Sequence, residues 1–272
     1  MNPSLSYVFS ELHKRYKHEG LDVYGGFSPF LTGFLQRTGN YIARESVFLS
    51  TSAGISNDEA VFMHGLCERM DPKRILIIGN SYGFSTVFLA LSCPDAKLVA
   101  FDKYRTKGIE TTNRLLSGLE GKTVIQASTP EDIPNIIKSR LDGEVDFVLI
   151  DAVHTNEMQK AEFEVLNGFL SSRATVVFHD VLSCGLLESF NQIKNKYSEY
   201  DFRLIGKSST GIAVCIKGEK DDLLVNFLDY FSPDEKKILD FNCLMLQHAN
   251  ASSSNLFSRH ELEYKFMPHP QL

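Results

Sequence analysis

The sequence predicts an α/β protein built on a seven-stranded, mostly parallel sheet with helices on both faces. Three observations predict it. Short aliphatic runs recur past residue 70, amphipathic stretches of helical length separate them, and the last two runs lie too close together for a helical crossover. Continuous apolar strands alternating with helices imply a parallel sheet covered on both faces, and a short connection implies an antiparallel hairpin.

The strands are expected at "RILIIG" (74–79), "KLVAFD" (97–102), "TVIQA" (123–127), "VDFVLID" (145–151) and "ATVVFHDV" (174–181). Helices fit "STVFLALSC", "GIETTNRLLSGL", "EDIPNIIKSRL" and "NEMQKAEFEVLNGFL" between them, and "LLESFNQIKNKYS" after the fifth strand. The runs "FRLIG" (202–206) and "TGIAVCIK" (210–217) close the sheet as a hairpin. The whole is a Rossmann-like sheet spanning residues 56–218. Helical extensions are expected on either side, over residues 1–55 and 219–272. The first holds the Gly- and aromatic-rich "DVYGGFSPFLTGFLQRTGNY", a candidate lid or substrate wall. A helix in "ISNDEAVFMHGLCERM" is led by a polar cap at Ser56 or Asn57. Residues 219–248 suit two helices, the second opening on a Ser-Pro-Asp cap signal, and the serine-rich tail reads as a flexible or partner-docked extension.

Composition narrows the functional classes. A net charge of −6 and no Lys/Arg cluster argue against a nucleic-acid surface. Charged residues interrupt the first twenty positions, and no run approaches the ~18 apolar residues of a membrane span, so a cytoplasmic protein without a membrane partner is expected. The five cysteines are scattered and lack CxxC spacing, which suits buried thiols better than disulfides or ligands.

The chemistry concentrates after the first strand, in Gly79-Asn80-Ser81-Tyr82-Gly83-Phe84-Ser85. A strand feeding a helix through a glycine-rich turn leaves backbone N–H groups free to hold a carboxylate or phosphate. Asp102, ending the next strand, sits beside that turn at the carboxyl edge of the sheet, where a carboxylate accepts from both hydroxyls of a ribose. Together they imply a nucleoside ligand. The GxxxG spacing departs from the GxGxxG dinucleotide fingerprint, which disfavours a nicotinamide enzyme.

Five stretches, "IIGNSYGFSTV", "VAFDKY", "VIQASTPEDIP", "FVLIDAVHT" and "VVFHDV", resemble the class I S-adenosylmethionine-dependent methyltransferases. The likeness covers about residues 56–217 and is strongest to the catechol O-methyltransferase-like and small-molecule or sugar O-methyltransferase branch. It implies that Gly79, Asn80, Ser81, Tyr82, Gly83, Phe84, Ser85, Asp102, Lys103, Ala127, Ser128 and Asp151 bind S-adenosylmethionine. Ser85 and the Phe84 backbone would take the methionine carboxylate, and Ala127 and Ser128 would pack on adenine.

The same likeness implies a divalent cation, Mg2+ or another, at Asp151, His179 and Asp180, whose strands end side by side on one sheet edge. His179 stands where metal-dependent relatives carry an Asp; there it binds a softer metal, acts as base, or replaces the ligand set. His154 stands where catechol-type enzymes carry a lysine base, and an unperturbed pKa of about 6.5 suits proton removal at neutral pH. Asp151, His154 and His179 are therefore the catalytic candidates, acting on a small hydroxylated acceptor. Many family members carry an acid two residues before the first glycine; this chain has Ile77, which implies either weaker cofactor binding or Asp151 taking over the methionine amine. The alternative is a methyltransferase-like binding or scaffold protein without catalysis. The flanking aromatics Tyr24, Phe27, Phe30 and Tyr41 are candidates for the acceptor wall, and the extensions suit a homodimer interface.

Overall fold

A computed structural model describes residues 3–27, 38–45, 47–49, 54–103, 107–206, 208, 210–232, 234–240 and 243. All seven expected strands form one sheet. In chain order they are β4 (Arg74–Ile78), β5 (Lys97–Asp102), β6 (Lys122–Gln126), β7 (Val145–Ile150), β8 (Leu170–Phe178), β9 (Asp201–Leu204) and β10 (Ala213–Lys217). Their spatial order is β6-β5-β4-β7-β8-β10-β9. The first five are mutually parallel, and β10 pairs antiparallel to both β8 and β9.

The apolar runs explain this placement. In β4, alternation sends Ile75 and Ile77 into one core and Leu76 and Ile78 into the other, all fully buried. A strand buried on both faces is at home in the centre of a parallel sheet. One core is covered by α1 (Leu5–His18), α2 (Asn57–Met70), α3 (Phe84–Ser92), α4 (Lys107–Leu115) and α8 (Asp222–Phe231). The other is covered by α5 (Ile133–Arg140), α6 (Asn156–Asn167) and α7 (Leu187–Lys196).

Residues before the sheet depart from the helical expectation. After α1 the chain forms a separate antiparallel sheet of β1 (Asp22–Phe27), β2 (Thr38–Arg44) and β3 (Val47–Phe48). The glycines of "DVYGGF" mask its strand character, because glycine is depleted in strands, yet register with "TGNYIAR" satisfies the backbone. Behind them, Ser56 caps α2 in a reciprocal capping box with Glu59. Beyond β10, α8 and a helical stretch at 235–240 match the two expected helices, with Asp234 accepting from Lys237 N at 3.2 Å. The tail from residue 244 lies outside the described residues. Of the cysteines, Cys67, Cys93 and Cys215 are buried as expected, whereas Cys184 is half-buried and Cys243 exposed. No helix among the described residues is long and apolar enough to cross a membrane.

The N-terminal helix is tied to the glycine-rich turn. Tyr16, fully buried in α1, donates its hydroxyl to Tyr82 O at 2.8 Å. Tyr16→Phe leaves that carbonyl short of a partner and is expected to cost about 1 kcal/mol in urea unfolding. An unchanged unfolding midpoint would show that the bond contributes nothing to the turn.

Candidate functional site

The turn is built by two glycines with different tasks. Gly79 has φ +97°, and a Cβ there would lie 2.0 Å from the Asp151 carbonyl oxygen, so the close approach of β4 and β7 leaves room only for hydrogen. Gly83, at φ +83°, is the N-cap of α3, and a Cβ would strike Thr112 Oγ1 at 2.3 Å. Gly83 has no side chain to cap the helix, so the first N–H groups of α3 are left without a capping side chain, and Phe84 and Ser85 of that first turn line the cavity.

Asn80 and Ser81 take different roles within the turn. The Asn80 carboxamide is buried, accepting from Thr86 Oγ1 at 2.9 Å and donating to Thr112 Oγ1 at 3.1 Å, so it braces the turn against α3 and α4. The backbone N–H groups of Asn80 and Ser81 donate to Asp102 Oδ2 at 3.3 and 3.1 Å, and Lys103 N donates to Oδ1 at 3.0 Å. Asp102 is thus oriented by the turn, with lone pairs left over for a ligand's hydroxyls.

A cavity of 430 Å³ joins these parts. Its walls include every residue from Gly79 to Ser85, then Asp102 and Lys103, and on the far side Asp151, His154 and Asp180. Among sequence-predicted residues, Ala127, Ser128 and His179 do not line it; Ala127 packs into the core, His179 is buried behind Asp151 and Asp180, and Thr129, next to Ser128, lines the cavity. Ile77 is fully buried in the core, so that position presents nothing to the cavity. Strand β2 contributes Asn40 and Ile42 as a wall, which Gly54, bridged to Asn40, extends. Of the four aromatics suggested for an acceptor wall, Tyr41 is buried, Tyr24 is exposed and neither lines the cavity, while Phe30 and the Phe27 side chain lie outside the described residues.

At the cavity's polar end four side chains converge. Asp151, His154, His179 and Asp180 each offer a donor atom within 4.8 Å of the others. His154 Nε2 lies 3.5 Å from Asp151 Oδ1 and 3.2 Å from Asp180 Oδ2. His179 Nδ1 lies 3.0 Å from Asp151 Oδ1 and 3.3 Å from Asp180 Oδ2, yet is buried without a properly aligned hydrogen bond. Ser183 Oγ also donates to Asp180. The cluster arises because parallel β7 and β8 end side by side, and Asp180 adopts φ +57° just beyond β8.

Charge within this group is strongly coupled. Burial alone would lower the His179 pKa, but Asp151, Asp180 and Glu59 raise it well above its usual value. For Asp151 and Asp180 burial pulls upward, and the His179 charge, with His154 beside them, overcomes it and lowers both. Burial likewise opposes protonation of His154, and the hydrogen bond to Asp151 with the charges of Asp180 and Asp151 raises its pKa. An orphaned buried nitrogen facing two carboxylates and a second imidazole is a donor set that could hold a divalent cation in place of that proton.

Sequence reasoning missed Glu59. It is fully buried in α2, and its Oε2 lies 3.1 Å from His179 Nε2, although 120 residues separate them. Burial raises its pKa, but the His179 charge and hydrogen bonds from His179, Ser208 and Thr210 bring it down to about 2. Its signal was the serine three residues earlier, which marks a capping box and not a site.

Residues 76–181 match the family described as Methyltransferase domain. The chain carries a class I methyltransferase fold. Among solved structures, the O-methyltransferase from Bacillus cereus in complex with SAH aligns at a TM-score of 0.54. It is 15% identical, over 79% of this chain and 92% of that one. A methyltransferase from Geobacter sulfurreducens aligns at a TM-score of 0.50 with 17% identity, over 61% of this chain and 80% of that one. No curated protein matches this chain in sequence. The methyltransferase match spans the glycine turn, Asp102, Asp151, His154, His179 and Asp180, and stops before β9 and β10.

Proposed function

We propose that this protein is an S-adenosylmethionine-dependent O-methyltransferase acting on a small hydroxylated acceptor, with a divalent cation at Asp151, His179 and Asp180. One observation carries the reading: a single cavity runs from the glycine turn and Asp102 to that cluster, so a nucleoside donor and an acceptor hydroxyl fit side by side. S-adenosylmethionine would supply a methyl group on a sulfonium, transferred by in-line displacement in which the C–S bond breaks and an O–C bond forms. A divalent cation would supply the positive charge that draws the acceptor hydroxyl toward ionisation.

The chain's own residues perform the positioning, which is the main source of rate in such a displacement. Asp102 orients the ribose, the open start of α3 at Phe84 and Ser85 takes the carboxylate, and Asp151 is placed for the amine or the cation. His154, 35% exposed at the cavity, is positioned to take the acceptor's proton, and the two carboxylates beside it make it a stronger base than free imidazole. Mixed nitrogen and oxygen donors favour a transition metal such as Mn2+ over Mg2+ or Ca2+. The net charge of −6 supports a small-molecule acceptor over a nucleic acid.

Calorimetric titration of S-adenosylmethionine and S-adenosylhomocysteine tests the reading. Wild-type protein is expected to bind both, and Asp102→Ala to weaken binding ten- to a hundredfold, the equivalent of one or two lost charge-assisted hydrogen bonds. No heat with either nucleoside would sink the proposal.

A further inference from the structure

We propose that Glu59 is a positioning residue that holds His179 with its proton on Nε2, leaving Nδ1 as a bare nitrogen donor toward a divalent cation. The inference rests on the cation reading above and adds a residue that lies outside the cavity wall.

The argument is one of hydrogen-bond accounting. Glu59 Oε1 accepts from Ser208 Oγ at 2.6 Å, Thr210 Oγ1 at 2.5 Å and Thr210 N at 3.2 Å. Oε2 accepts from Ser56 N at 2.8 Å and lies 3.1 Å from His179 Nε2. Glu59 is thus the acceptor for four donors spread over both of its oxygens, and in that role it accepts from His179 Nε2 as well. Thr210 Oγ1 also lies 3.3 Å from Nε2, but its hydrogen points to Glu59 at the shorter distance. When a cation takes the place of the proton on Nδ1, the ring keeps its other proton on Nε2 and turns the Nδ1 lone pair, on the buried atom that faces Asp151 and Asp180, to the metal.

Three elements hold Glu59 still. Its own helix supplies Ser56, the segment between β9 and β10 supplies Ser208 and Thr210, and β8 delivers His179. The negative charge sits in the first turn of α2, where the helix dipole stabilises it. A carboxylate fixing the outer nitrogen of a ligating imidazole sets both ring orientation and tautomer, and losing such a partner weakens metal affinity 10- to 100-fold.

Mn2+ calorimetry on wild type and Glu59→Gln, with 15N NMR of histidine-labelled wild type loaded with Zn2+, tests this. Glutamine presents an amide donor to Nε2 and so favours the proton on Nδ1. Mn2+ affinity is expected to fall 10- to 100-fold in Glu59→Gln while S-adenosylmethionine affinity holds, a split that general loosening of the fold would not produce. In the Zn2+-loaded wild type, His179 is expected to show a protonated Nε2 and a coordinated Nδ1. The spectrum needs no variant, so it decides the matter even where Glu59→Gln fails to fold. Equal Mn2+ affinity in both proteins, or coordination through Nε2, overturns the proposal. Wild type that binds S-adenosylmethionine but no metal overturns the cation site and this role with it. Metal binding that depends on Glu59, without nucleoside binding, upholds the role and overturns the methyltransferase reading.

Discussion

Gly79→Ala is expected to destabilise the protein by about 4 kcal/mol, combining roughly 1–3 kcal/mol for overpacking with a similar cost for a non-glycine residue at positive φ. The added methyl would sit 2.0 Å from Asp151 O, 2.6 Å from Asp151 C and 3.0 Å from Ala152 Cα. All three are backbone atoms, so no side chain can swing away. Relief requires β4 and β7 to separate where Asp151 N donates to Ile78 O at 2.8 Å. The same movement displaces Asp151 from His179 and the cavity wall. Thermal unfolding should show a midpoint lowered by roughly 10 °C for a chain of this size, with nucleoside binding lost in the fraction that stays folded. A loss under about 1 kcal/mol in urea would mean that the turn is looser than its geometry implies.

The second large effect concerns Glu162, a fully buried carboxyl on α6 that accepts from Thr129 Oγ1 at 2.8 Å and has no partner at Oε2. Burial raises its pKa from 4.5 to about 7, against the opposing influence of the Thr129 hydrogen bond and the His154 charge. The folded state therefore binds a proton that the unfolded chain gives up near pH 4.5. The stabilisation is fully present below that value and is lost as pH rises through about 7. At 1.36 kcal/mol per unit the difference amounts to about 3 kcal/mol. Glu162→Gln, neutral at every pH, is expected to gain that amount relative to wild type between pH 4 and pH 8. Parallel urea midpoints for the two proteins across this range would show that Glu162 titrates normally.

Much of this site was legible in the sequence because it lies at strand ends. A run such as "VDFVLID" announces both a buried strand and the sheet edge where its last residue emerges, and two such runs in successive crossovers place Asp151 beside Asp180. The glycine turn was legible for the same reason. Glu59 was not: its partners His179 and Thr210 are 120 and 151 residues away, and only tertiary packing brings α2 over the end of β8. The N-terminal strands were obscured by glycine, and β3 is only two residues long. Thr129 was passed over for its neighbours Ala127 and Ser128, since the end of β6 carries little periodicity to show which residue faces inward.

The strand order also bears on how the chain is made. β4, the first strand of the large sheet to be synthesised, lies in its interior, with β5 on one flank and β7 on the other. β5 is complete at residue 102, but β7 only at residue 150. A ribosome adding ~5–20 residues per second thus leaves one edge of "RILII" without its partner for several seconds, an aliphatic strand open to pairing with other chains. Expression yield should therefore depend on how quickly residues 103–150 follow, through codon choice and chaperone supply, more than on the stability of the finished fold.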